Sequence, residues 1–169
     1  MKVSDAVAKR RSIRSFSEKK VEKEKIAEIV ESFFWAPSAG NLEARDLIIV
    51  KKEGLKLKLS KAAFGQAFIA QAPVVFVVCA DTKTNLSYGE RGIHLYCLQD
   101  AAAGVQNMLL TATSLGLGSC WVGAFNETEV AELLELPEHA RPVAIVPVGY
   151  SKERPNPPLR EKKIHKNGW

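Results

Sequence analysis

Between Ile93 and Leu115 the chain carries one formal charge, Asp100, and the spacing predicts a single long helix stopped by Gly116. A helix so poor in charge is apolar nearly all round, so it belongs at the centre of a core or in a subunit interface. Ala101, Ala102, Ala103 and Gly104 are small enough to let another backbone come close. The rest of the chain must be built around this helix.

The remaining pattern supplies both kinds of partner. VEKEKIAEIVESFF predicts a helix with Ile26, Ile29, Val30, Phe33 and Phe34 on one face. Pro37 disfavours helical geometry at Ala36 and ends it. Asp46–Lys52 reads as a strand, and a lysine- and alanine-rich stretch up to Ala72 reads as helix. PVVFVVCA, 73–80, is β-branched and apolar throughout, the mark of a strand buried on both faces. Asp81 to Tyr88 is turn-like. A short strand over Ser119–Val122, a helix over Glu127–Leu134 with Asn126 as N-cap, and a strand over 142–150 complete the order. Helices and strands mix without regular βαβ alternation, which predicts an α+β fold. At 169 residues, 1–169 is the size of one domain, with no repeat or linker to divide it.

Composition narrows the chemistry. No apolar run reaches the ~20 residues that span a bilayer, and the charged N-terminus lacks a secretory apolar stretch. These features predict a cytoplasmic protein with no membrane partner. Cys79, Cys97 and Cys120 are odd in number and far apart, and no CxxC or HExxH pattern occurs, so neither a disulfide framework nor a metal site is expected. The net charge is +5, and much of the excess lies at the two ends of the chain. Aromatic residues are not interleaved with these basic clusters as single-strand binding requires, so no nucleic-acid partner is expected.

Three segments carry candidate chemistry. In KRRSIRSF, an extended chain puts Arg10, Ser12 and Arg14 on one side, where forked donors and a hydroxyl suit a phosphate; a solvated basic face is the alternative. APSAGN, 36–41, has small residues that expose backbone N–H groups, and Asn41 both donates and accepts; an ordinary connecting loop reads the same way. In CWVGAF, Gly123 marks a strand end that a ligand or a tight turn would bring close to something. Gly116-Leu-Gly118 lacks the third glycine of a dinucleotide fingerprint, and Ser17 to Lys20 matches SxxK with no companion motif.

Taken in order, RRSIRSF, APSAGN, APVVFVV, the long helix, GLGSCWVGAF, PVAIVPVGY and the basic tail ending near His165 and Trp169 resemble the nitroreductase-like flavoproteins over almost the whole chain. The resemblance implies a three-layer fold with a mixed central sheet flanked by helices, in an intertwined homodimer with FMN at the interface. It also implies ping-pong chemistry, in which NADH or NADPH reduces the flavin and leaves before a nitroaromatic, quinone or similar small-molecule acceptor is reduced. Arg10, Ser12 and Arg14, with Arg11 between them, match the phosphate and ribityl contacts. Pro37, Ser38 and Asn41 match a loop that reaches the partner's flavin. Gln66 matches a contact to the pyrimidine edge, Gly123 and Ala124 match the backbone beside flavin N5, and Arg160 matches a C-terminal phosphate contact. No catalytic side chain is implied, since the flavin carries the chemistry. The chain departs from the pattern in three ways: no lysine near the ring, Leu42-Glu43-Ala44-Arg45 after the loop asparagine, and a short 81–92 segment. The alternative within the fold is a flavin-binding dimer with specialised dehydrogenase activity or little turnover.

Overall fold

The computed structural model describes residues 1–169. Its elements run α1 (Val3–Lys9), α2 (Lys23–Phe34), a 3-10 turn (Ala39–Asn41), β1 (Arg45–Val50), α3 (Glu53–Ala62), α4 (Phe68–Gln71) and β2 (Val74–Asp81). After 3-10 turn Leu86–Tyr88 come α5 (Gly89–Arg91), π-helical turn Gly92–Tyr96, α6 (Cys97–Ser114), β3 (Gly118–Ser119), α7 (Glu127–Leu133) and β4 (Ala140–Gly149).

The four strands lie in the order β1-β2-β4-β3. β2 pairs antiparallel with β1, from Arg45↔Ala80 to Val50↔Val75, and antiparallel with β4, from Val74↔Val148 to Asp81↔Ala140. All named pairings are antiparallel; the parallel component of the expected mixed sheet is confined to one bridge, Ser12↔Ser119.

Strand alternation sends β2 side chains into two cores. Val74, Phe76, Val78 and Ala80 join one cluster with α2 and α6, while Val75, Val77 and Cys79 join another with α3, α4 and α7. The sheet is therefore sandwiched between helices, as an α+β three-layer arrangement requires. The central helix is α6, and its buried face includes Cys97, Asp100, Ala101, Gly104, Val105 and Met108. At Gly104 a Cβ would lie 2.5 Å from the Phe33 ring. This is the close approach that the small-residue run predicts.

Local expectations change: the strand expected over Ser119–Val122 is only Gly118–Ser119 with Val122 in a single bridge, and the helix expected from Ile93 opens as a π-helical turn before α6. Phe34 is 42% exposed, because the buried face of α2 is narrow and takes only Ile26, Ile29 and Phe33 fully. The predicted helix up to Ala72 breaks into α3 and α4, since Phe64 and Gly65 adopt φ of 56° and 76°, incompatible with a continuous helix. Residues 152–169 form no regular structure, and Leu159, Ile164 and Trp169 stand exposed. No helix is long and apolar enough to cross a membrane.

The end of β4 is tied to the start of α2 by a polar cluster. The Tyr150 hydroxyl donates to both carboxylate oxygens of Glu22 (2.8 and 2.7 Å) and accepts from Lys25 Nζ (2.9 Å). The Tyr150 hydrogen bond, with a backbone N–H and Lys25 and Lys19 assisting, holds the Glu22 carboxyl down from 4.5 to about 2.

A carboxyl lowered on folding stabilises above its unfolded value and loses that contribution as pH falls through the folded one. Tyr150→Phe is therefore expected to flatten the loss of stability between pH 4.5 and about 2, measured by urea unfolding across that range. Gly104→Ala gains up to about 1 kcal/mol of helix propensity but overpacks against Phe33, which costs about 1–3 kcal/mol. A lower denaturant midpoint is expected, and an unchanged one would mean that Phe33 yields freely.

Candidate functional site

Residues 10–16 run extended beside the 118–122 segment. Ile13 N donates to Ser119 O (2.9 Å), and single bridges join Ser12 to Ser119 and Phe16 to Ser151. Burial raises the pKa of the neighbouring Cys120 thiol; Arg14, Ser12 and Arg10 all counter that rise, and Glu153 adds to it. Arg10, Ser12 and Arg14 thus converge on one side, as the alternation of an extended chain requires. Neither guanidinium enters an ion pair. Arg11 is not brought to them: its Nη1 donates back to Ala8 O and Arg10 O (both 2.8 Å).

Arg11 instead lines a separate groove of about 330 Å³ with Lys9, Thr113, Ser151 and Arg154. Arg154 is the tail arginine that lines this groove beside Lys9 and Arg11. Arg160 is exposed and makes no hydrogen bond in the chain.

Beyond Cys120, Val122 pairs with Ile145, and the chain then emerges at Gly123 and Ala124, both exposed. No atom lies within 4 Å of a Cβ built on Gly123, so the space beside this backbone is open. Gln66 joins this end: its Nε2 donates to Ala124 O and Ala63 O, both at 3.0 Å. With the amide nitrogen engaged, Oε1 is the atom left to accept. The 119–124 segment is a common spine for Arg10, Ser12, Arg14, Gly123, Ala124 and Gln66.

The loop 36–41 is elsewhere. Its hydrogen bonds run to Arg45, Asp100 and Glu43, and none reach 10–14, Gln66 or 123–124. Gly40 has φ 58°, and the Tyr88 hydroxyl occupies the place a side chain there would need. Asn41, at φ 56°, is exposed. The Ser38 hydroxyl accepts from Glu43 N (3.0 Å), which leaves its proton free to donate.

Arg45, Tyr88 and Cys120 were not legible as neighbours of candidate residues, because each reaches its place through strand pairing or the folding back of 81–92. Asp100 had a signal, as the sole charge on the long helix. Burial pushes the Cys79 thiol up to about 12 and raises Cys97 and Cys120 too, against the pull of Arg14 on Cys120. Chemically, the assembled set offers two cations outside any ion pair, a hydroxyl and exposed backbone; its one carboxylate, Glu153, accepts from the Arg14 backbone N–H, and there is no imidazole. It is equipped to bind and orient an anionic, planar group rather than to transfer protons itself.

The profile of the nitroreductase family matches residues 7–68 and 57–150. The chain is 32% identical to an NADH dehydrogenase of Thermus thermophilus, covering 92% of this chain and 89% of that protein. It is 33% identical to an FMN reductase [NAD(P)H] of Bacillus subtilis, covering 85% and 64% respectively. Among solved structures, an FMN-dependent nitroreductase of Clostridium difficile superposes with a TM-score of 0.85 at 29% identity, covering 97% of this chain and 98% of that one.

The three thiols are buried and unpaired, and a thiol held protonated is a poor nucleophile. Native protein is expected to leave Ellman's reagent unreacted at mildly alkaline pH, with all three thiols reacting only in guanidinium.

Proposed function

Because the chain belongs to the nitroreductase family, we propose that it is an FMN-dependent NAD(P)H oxidoreductase passing electrons to nitroaromatic, quinone or similar small-molecule acceptors. The observation that carries this reading is the pair of unpaired arginines, Arg10 and Arg14, beside Ser12 on the spine that leads to the open backbone at Gly123. A phosphate leaving water needs compensating cations with forked donors, and this chain has left two without partners.

Arg10, Ser12 and Arg14 would hold the phosphate and ribityl chain, and Gln66 Oε1 would accept from the ring's pyrimidine edge. Gly123 and Ala124 would present backbone to the ring, and their exposure leaves room for it. Bound there, FMN supplies hydride transfer between the nicotinamide donor and the acceptor. The chain contributes orientation and charge. Arg11 and Arg154 line their own groove and stand outside this set; Arg160, on the exposed tail, stays the C-terminal phosphate candidate.

Residues 1–169 form one FMN-binding unit in this reading, and two copies make the working dimer. The Pro37, Ser38 and Asn41 loop, separate from the spine within one chain, would serve the partner's flavin. Exposed Leu159, Ile164 and Trp169 on the tail would find cover on the second copy. Three unpaired thiols suit a reducing cytoplasm.

The test is an absorption spectrum of the purified protein before and after anaerobic addition of NADH or NADPH. Wild type is expected to be yellow, to bleach with one donor and to recover with a quinone. A protein that stays colourless after incubation with FMN overturns the reading, and a yellow protein that neither donor bleaches makes it a flavin carrier instead. Arg10→Gln and Arg14→Gln each remove a charge-assisted contact and are expected to weaken FMN binding about tenfold or more, measured by fluorescence titration.

A further inference from the structure

Arg45 opens β1 and is 3% exposed, yet it enters no ion pair. A cation so placed is costly unless its donors are engaged. Its Nη2 donates to Phe34 O (2.9 Å) and Ala36 O (2.7 Å), and its Nη1 to Pro37 O (3.4 Å). These carbonyls are the negative end of α2 and the first turn of the loop behind it. On the other side of Ser38, the Ala39 N–H donates to Asp100 Oδ1 (2.9 Å). Asp100 is 4% exposed in the first turn of α6, and its Oδ2 accepts from Asn85 Nδ2 (3.2 Å). A buried cation thus holds the carbonyls of this turn, and a buried anion holds the amide that follows.

We propose that Arg45 and Asp100 act as a pair of positioning residues that clamp the 36–41 loop and so set how Ser38 and Asn41 meet FMN. The inference rests on the proposed reading that this loop contacts the flavin. What the clamp leaves free supports it: the Ser38 hydroxyl proton is unused, and the side-chain amide of exposed Asn41 forms no hydrogen bond within the chain. The clamp has little slack. Arg45 Nε and Asn85 Oδ1 are buried without partners, so losing one member leaves more polar atoms stranded in a low-dielectric site.

The unpartnered Asn85 Oδ1 also provides a gentle variant. In Asp100→Asn the Asn85 amide can turn and accept from the new amide, so hydrogen bonding survives while the charge goes. Arg45→Met removes cation and donors together, and Arg45→Lys returns a charge without the fork.

The experiment measures wild type and these three variants, reconstituted with FMN, for melting temperature, FMN dissociation constant and midpoint potential of the bound flavin. The expected result is a dissociation constant raised about tenfold or more in Arg45→Met. A smaller rise in Asp100→Asn, a shifted potential in both, and partial recovery in Arg45→Lys are also expected. If Arg45→Met does not fold, the other two variants decide. Variants that melt earlier yet bind FMN with unaltered affinity and potential would reduce the pair to a structural role and overturn the inference alone. Wild type that takes up no FMN overturns this inference together with the reading beneath it.

Discussion

Water touches neither face of β2. Its alternating side chains feed two separate clusters, one under α2 and α6 and one under α3, α4 and α7. A strand committed to both cores cannot carry polar chemistry, and its neighbours β1 and β4 are drawn in beside it. The polar work is displaced to the periphery of the sheet: to the edge at β3 and the segment after it, and to the turn where α2 ends. Candidate binding groups are found in those two places because the interior has no room for them.

The cations of the chain divide by the same logic. Arg45 and Lys56 are buried and donate hydrogen bonds to carbonyls, Lys56 Nζ to Ala72 O at 2.7 Å. Burial lowers the pKa of both, so each fixes local backbone at some electrostatic expense. Arg10 and Arg14 lie near the surface with guanidiniums outside any ion pair, although Glu153 holds the Arg14 backbone N–H. Buried cations hold the protein to itself, and unpaired ones at the edge remain available to an anion.

The departures from the family pattern gain a physical meaning in the fold. Leu42-Glu43-Ala44-Arg45 is one of the departures from the pattern the resemblance implies, and its arginine is what grips the end of α2. The short 81–92 segment folds back so that Asn85 meets Asp100 and Tyr88 covers Gly40. It supports the loop from within.

Local sequence pattern determined most of the framework: hydrophobic spacing gave the doubly buried β2, the amphipathic α2 and the charge-poor α6, side-chain type the Asn126 cap, and element order the α+β class. These follow from local spacing and burial, which are written residue by residue. Even the convergence of Arg10, Ser12 and Arg14 was available as an alternation, once the segment was taken as extended. Tertiary structure decided that extension, through the bridge to Ser119, and turned Arg11 away from its neighbours. It also brought Gln66 to Ala124, Arg154 to the groove beside Lys9, and Arg45 and Asp100 to the backbone groups that precede and follow Ser38. Those pairings join residues far apart in the chain, and their energies depend on burial and on which carbonyl or amide lies opposite. No local pattern encodes that; it exists only after the sheet and α6 have closed around them.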